Sequence, residues 1–234
     1  MSHLLSCGLD LGRSGKTAIA VISGTDWHLR LIHLEEHSSI SAPDVENAIL
    51  RVYARFQPKV IILEMNGPGG VFAEFAVQKN PGLPLLTVDV SHPPIDLQLW
   101  PDFQFIPEEY LNIRAEEYFI VHYLLKHRRL KFPYEDAELF AQLSSTYWDL
   151  DKTKAEKIRL MPKKNMKVSD FSNELEGLSF SRSPDKADAL AMACLGYALI
   201  ASNEALDTGE QVNDVISPLS DGLFNIGEID LEEL

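Results

Sequence analysis

Cysteine is nearly absent from the 234 residues: only Cys7 and Cys194 occur, each inside an apolar segment and with no Cys-x-x-Cys pair. That excludes a disulfide framework and gives no sign of a zinc site, so both thiols are expected to be buried small hydrophobes. The seven histidines are scattered, and His33 and His37, near a strand end, read as ordinary surface positions. No apolar run approaches the ~18 residues of a membrane span. The N-terminus also lacks the basic region and long apolar stretch of a secretory signal, so a cytoplasmic protein without membrane contact is expected. A basic excess is missing too, since the net charge is −14. Nine Asp or Glu and no Lys or Arg lie in residues 201–234, which leaves 21 basic against 26 acidic residues in 1–200. Most of the negative excess is therefore a tail. With 45% hydrophobic residues, the remainder is ample for a core.

What is present begins with "GLDLGRSGKTAIAVI", residues 8–22. Gly15-Lys16-Thr17 is how a phosphate-binding loop ends, but such a loop needs glycine five positions before Gly15, and Asp10 stands there. The loop also needs a following helix to face the phosphate. Residues 17–22 are short, rich in β-branched side chains and closed by Ser23-Gly24, which predicts a strand. Residues 29–34 predict a third strand and complete an antiparallel meander. A helix follows, with a capping start at residues 41–44, one apolar face through Val45, Ala48, Ile49, Val52 and Phe56, and a stop at Pro58. Residues 59–64 read as a strand covered on both faces, 71–79 as a helix and 85–90 as a strand. Helices over 111–130 and 135–143 precede a hairpin of strands at 146–150 and 157–161. Residues 165–180 have no clear period. Ser183-Pro184 then opens a helix that is apolar nearly all round and is expected to be buried.

Asp10 and Glu64 end two apolar strands, where an ionised side chain costs several kcal/mol unless paired or bound to metal. Asp185 and Asp188 fall three residues apart in the first turn of the buried helix, on one face. Singly, each has an ordinary explanation: a turn residue, a strand-end surface residue, or a complement to the helix dipole. Together they predict a metal site, because no sequence-adjacent Lys or Arg accompanies Asp10 or Glu64. Carboxylate oxygens suit Mg²⁺ or Mn²⁺, and two such ions about 3.5 to 4 Å apart can promote phosphodiester cleavage by water.

These stretches also carry a resemblance. "CGLDLGRSGKTAIAVI", "VIILEMNGPGG" and "SRSPDKADALAMA" resemble the three acidic motifs of RNase H-like nucleases, and specifically of the C-terminal nuclease domain of the phage large terminase subunit. "YLNIRAEEYFIVHYLLK" resembles the terminase helix with its Arg-Ala-Glu sequence. "LFAQLSSTYWDLD" followed by "KIRLMPKKNMK" resembles its Gln-Leu-Ser-Ser hairpin region. The likeness runs from about residue 5 to residue 201. It implies an α/β RNase H-like fold with a mixed central sheet, antiparallel opening strands and flanking helices. It also implies metal binding and catalysis by Asp10, Glu64 and Asp185, with Asp188 as a fourth acid. Holliday-junction resolvases share that fold and an Asp-x-x-Asp helix start. A complete terminase has an ATPase motor that this chain does not supply, so an isolated nuclease domain or a separate motor chain is expected.

The resulting expectation is a metal-dependent endonuclease on double-stranded DNA with little base specificity, using Mg²⁺ or Mn²⁺ as a pair of ions. Its packaging partners would be an ATPase, portal or small terminase protein. Lys152, Lys154, Lys157, Arg159, Lys163 and Lys164, in a run broken only by Glu156, are candidates for phosphate contact, as is the loop 66–70. The plain alternative for that run, and for the cluster at 126–131, is a solvated face. Competing readings of the whole chain are a junction resolvase, an inactive docking scaffold and an ATP-binding protein of the sugar-kinase and actin type; the last lacks its second lobe and second phosphate motif. Domain division is expected at 1–202 and 203–234. The tail reads either as disorder or, from apolar groups such as Val215-Ile216 and Leu223-Phe224 among the acids, as a docking or DNA-masking segment.

Overall fold

A computed structural model describes residues 3–11, 16–38, 41–65, 68–95, 109–152, 154, 156–161, 184–205 and 216–218. The chain opens with three antiparallel strands, β1 (Leu4–Leu11), β2 (Lys16–Thr25) and β3 (His28–Ser38). After them come α1 (Ala42–Phe56), β4 (Val60–Glu64), α2 (Pro68–Lys79) and β5 (Leu85–Val88). This is the order expected from the apolar patterning. α1 starts at a capping box in which Ser41 and Asp44 exchange hydrogen bonds, and it ends at a left-handed Gln57 just before Pro58.

The second half differs in detail. The helix expected to reach residue 130 stops sooner: α3 is Ile113–Lys126, and a two-residue strand, β6 (Leu130–Lys131), follows and pairs with β3. α4 covers Ala137–Ser144, and β7 (Trp148–Asp151) and β8 (Lys157–Leu160) form a separate antiparallel pair. α5 is Asp185–Ala205, with the Pro184 carbonyl accepting from Asp188 N–H; the expected cap, Ser183, lies outside the described residues. So does the aperiodic stretch 165–180. Ile216–Pro218, within the acidic segment, forms β9 and pairs antiparallel with β5.

The main sheet is mixed, in the order β6-β3-β2-β1-β4-β5-β9, with β1 central and parallel to β4. Side chains alternate across it. On one face Cys7, Leu9, Ile19, Val21, Ile61 and Leu63 pack beneath α1 and α2. On the other, Ala18, Ala20, Ile22, Val60 and Ile62 pack beneath α3, α4 and α5. Both cysteines are free and buried, and burial pushes both thiols well above their usual range. α5 lies directly on β1. A Cβ at Gly8 would overlap the Ala189 carbonyl oxygen and the Ala193 amide nitrogen, and a Cβ at Gly196 would overlap Ser6 Oγ. Only glycine permits that approach.

Candidate metal centre

The two glycine contacts fix where the acids go. Ser6 meets α5 near residue 196 and Gly8 meets it near 189–193, so helix and strand run in opposite directions. Two further strand residues advance about 6.6 Å, equal to about four helix residues, and bring Asp10 level with the first turn of α5. Asp10 shares the α5 face with Ser6 and Gly8 by alternation and is 4% exposed. The parallel pairing of β1 with β4 ends at Leu9 opposite Leu63, and Asp10 and Glu64 are the next residue of each strand. Glu64 continues the Val60, Ile62 face and is half-buried. Above them the helix begins with Asp185, 2% exposed, and Asp188, fully buried. All four acids therefore belong to one end of one face.

They are not equivalent. Asp188 Oδ1 accepts a hydrogen bond from Arg114 Nη2 at 2.8 Å and another from the Tyr118 hydroxyl at 2.5 Å. Arg114 and Tyr118 are four residues apart on α3, on one helical face. Burial alone would lower the Arg114 pKa, but Asp188 first, then Tyr118, Glu117 and Glu64, raise it far above the ordinary value and keep the guanidinium charged. Burial, reinforced by Asp188, raises the Tyr118 phenol well above its usual range, so it remains a donor. The expectation that only a bound cation could offset this cluster is thus incomplete. A cation arrives from α3, about seventy residues away in sequence, as the arginine of the Arg-Ala-Glu stretch at 114–116.

Supporting contacts hold the frame. The Gln142 side-chain oxygen accepts from Ala187 N–H at 3.0 Å, occupying an amide of the first turn of α5 that the helix itself leaves open. Arg114 N–H bonds Val90 O, and Ile95 N–H bonds the buried Glu116 carboxylate at 2.8 Å, which ties α3 to the chain leaving β5. Lys186 reaches Asp136 and Glu138, while Lys16 reaches Glu36 at 2.7 Å and Glu138 at 3.2 Å. Lys16 starts β2 and is held by two carboxylates, and β2, not a helix, follows the turn, unlike a phosphate-binding loop.

Asp10, Glu64 and Asp185 offer only oxygen donors, a set that fits Mg²⁺ or Mn²⁺. Among the described residues, no three His, Cys, Asp or Glu side chains are already gathered as a metal's ligands. The acids share an end and a face of the sheet, not a closed shell.

The basic residues distribute otherwise. Lys152 and Lys154 are exposed, Lys157 is half-buried, and Lys163 and Lys164 lie outside the described residues. Arg159 is paired with Asp151 at 3.3 Å and faces Asp149 at 4.0 Å. Cross-strand pairing sets Asp149 opposite Arg159 and Asp151 opposite Lys157, so the hairpin's charged face mixes both signs. Its other face, Trp148, Leu150, Ile158 and Leu160, turns toward α3, where Trp148 meets Phe119 edge-on and stays 56% exposed. A cavity of about 110 Å³ lies between them, lined by Phe119, His122, Leu125 and Trp148 among others. Of the loop 66–70, residues 66 and 67 lie outside the described set and Pro68 already begins α2.

No family model and no curated protein matches the sequence. The fold, by contrast, matches solved structures. The nuclease domain of the large terminase subunit gp2 of bacterial virus Sf6 superposes with a TM-score of 0.58 at 17% identity, over 83% of this chain and 88% of that one. A K428A mutant of that domain with manganese gives 0.59 at 16% identity, over 82% and 88%. The large terminase nuclease from thermophilic phage G20c with bound magnesium gives 0.54 at 12% identity, over 83% and 82%. Central mixed sheet, antiparallel opening strands and flanking helices together give this chain the RNase H-like fold of the phage large terminase nuclease domains.

Proposed function

We propose that the protein is a metal-dependent endonuclease that hydrolyses phosphodiester bonds of double-stranded DNA with little base specificity, in the setting of viral genome packaging. One observation carries the proposal: Asp10 and Glu64 each lie one residue past the Leu9–Leu63 pair of two parallel strands, and Asp185 opens the helix packed on β1. The terminase nucleases that share the fold, solved with manganese and with magnesium, support it. Asp10, Glu64 and Asp185 would hold the ions, expected to be two, while Asp188 borders the site in the grip of Arg114 and Tyr118. Bound Mg²⁺ or Mn²⁺ would activate water and stabilise the leaving oxygen. The carboxylates supply negative charge and fixed direction; β1, β4 and α5 supply rigidity. Lys152, Lys154 and Lys157, with Lys163 and Lys164, are proposed DNA-backbone contacts, and Arg159 would need to leave Asp151 to join them. A packaging ATPase, portal or small terminase protein is the proposed partner; within the acidic residues 203–234, α5 runs on to Ala205 and Ile216–Pro218 joins the main sheet. No helix among the described residues is long and apolar enough to cross a membrane.

The test is plasmid nicking with Mn²⁺, Mg²⁺ or EDTA. Cleavage is expected with either ion, none with EDTA and none from Asp10→Asn. Mn²⁺ should also raise the melting temperature of the native protein by linkage, and raise it less in Asp10→Asn. Full cleavage by that variant would refute the site.

A further inference from the structure

We propose that Arg114 is the phosphate-positioning residue of this centre: Asp188 and Tyr118 fix its guanidinium beside the Glu64 end of β4, and its other N–H groups bind an oxygen of the DNA backbone. The inference deepens the nuclease reading and rests on it.

Three observations converge. Arg114 is held in place at both ends. Its backbone N–H bonds Val90 O at 3.0 Å, two residues past Val88, which pairs with Glu64. Its Nη2 bonds Asp188 at 2.8 Å, and its Cζ stands 5.8 Å from the centroid of the Tyr118 ring. Second, the Arg114 side chain is not wholly sealed in. The side chain keeps 17% of its surface exposed while Asp188 is wholly buried, so the pair has an inner acid and an outer cation. A guanidinium carries five donors in a planar fork, and one contact with Asp188 does not exhaust them. Third, electrostatics favours such a group here. A DNA phosphate approaching Asp10, Glu64 and Asp185 meets like charge, and Arg114 cancels Asp188 at the rim. Asp188 is then an anchor, which accounts for its being gripped by two donors from α3 while Asp10, Glu64 and Asp185 share the sheet end.

Removing Arg114 alone would strand a buried carboxylate and risk the fold, so the decisive comparison is Asp188→Asn against the double variant Arg114→Met/Asp188→Asn. Binding of a linear duplex is measured with Ca²⁺ replacing Mn²⁺, by fluorescence anisotropy across a salt series, beside melting temperature and wild-type nicking with Mn²⁺. Asp188→Asn keeps a side-chain oxygen that can accept from Arg114, and its salt slope is the reference for the pair. The double variant should bind about tenfold more weakly. Its slope of log affinity against log salt should be shallower by about 0.9, the signature of one lost phosphate contact. A purely structural Arg114 would shift melting temperature and leave that slope alone. If the double variant binds as Asp188→Asn does, with the same slope, the assignment is overturned. Failure of the wild-type protein to nick DNA would instead overturn the nuclease reading itself.

Discussion

The two faces of the central sheet are built from alternate residues of the same strands, yet they carry different loads. Leu9 and Asp10 are neighbours in β1; Leu9 enters the core under α1 and α2, while Asp10 turns to the end of α5. The α1 and α2 face is mostly apolar, with Val45, Ala48, Ile49, Val52, Phe72 and Ala76 above Cys7, Leu9, Ile61 and Leu63, and its one buried carboxylate among the described residues, Glu46, is held by Lys79 and Asn80. The α5 face begins in the same way, with Ala18, Ala20, Val60 and Ile62, and ends in carboxylates. Buried carboxylates are tolerable only where compensating groups can reach them, and α3 delivers Arg114 and Tyr118 to that face. One face chiefly stabilises; the other also gathers buried acids.

The sharpest way to break this division is at the closest approach of α5. Gly8→Ala forces a methyl group into backbone atoms of Ala189 and Ala193, which cannot rotate away. It should cost about 3 kcal/mol or more and remove cleavage with it, measured by urea unfolding and plasmid nicking. Gly82→Ala, where no atom lies within 4 Å of the new methyl, should change stability by less than about 0.5 kcal/mol. Next comes the adjacent pair. Leu9→Ala should lose about 3 kcal/mol of stability and retain cleavage per folded molecule, whereas Asp10→Asn should lose cleavage and keep or gain stability. Equal effects on both properties from both variants would erase the distinction between the faces.

Smaller effects probe the periphery. Replacing Lys152, Lys154 and Lys157 together by Ala should lower DNA affinity on all sequences alike, and flatten the salt dependence by up to about 0.9 in slope per lost phosphate contact. An unchanged slope would mean that the hairpin's mixed charges are simply solvated. The smallest effect concerns Lys16 and Lys186. Burial opposes their charges, but the hydrogen bonds that Lys16 donates to Glu36 and Glu138, and Lys186 to Asp136 and Glu138, outweigh it and raise both pKa values. A raised folded-state pKa gives stability that is complete below the unfolded lysine value of about 10.4 and is lost as pH climbs through the folded value. Lys16→Met should therefore be less stable than wild type by under about 1 kcal/mol at pH 8, with the gap closing above pH ~10.5, as read by urea titration at each pH.

Legibility followed sequence distance. The meander, α1 with its Ser41 and Asp44 cap, and the run from β4 to β5 were readable because each rests on residues within a turn or a strand of one another. β6 was not, since two residues carry no period and only the edge of β3 makes them a strand. β9 was hidden likewise: Ile216–Pro218 sits among acids, and its partner is β5, more than a hundred residues earlier. The basic run starting at Lys152 looked nearly free of acids because Asp149 and Asp151 precede it, yet strand pairing turns those two acids across to Arg159 and Lys157.

The sequence by itself determined where the costly acids fall. Carboxylates closing the apolar strands at Asp10 and Glu64, and opening a buried helix at Asp185 and Asp188, are costly placements that local pattern exposes directly. The tertiary structure alone decided how those acids divide. The register of β1 against β4 sets two of them side by side, Gly8 and Gly196 let α5 descend until its first turn reaches them, and α3 brings Arg114 and Tyr118 to Asp188. Those are relations between segments far apart in the chain. Charge compensation acts through space over a few ångströms, so no period or local motif records it.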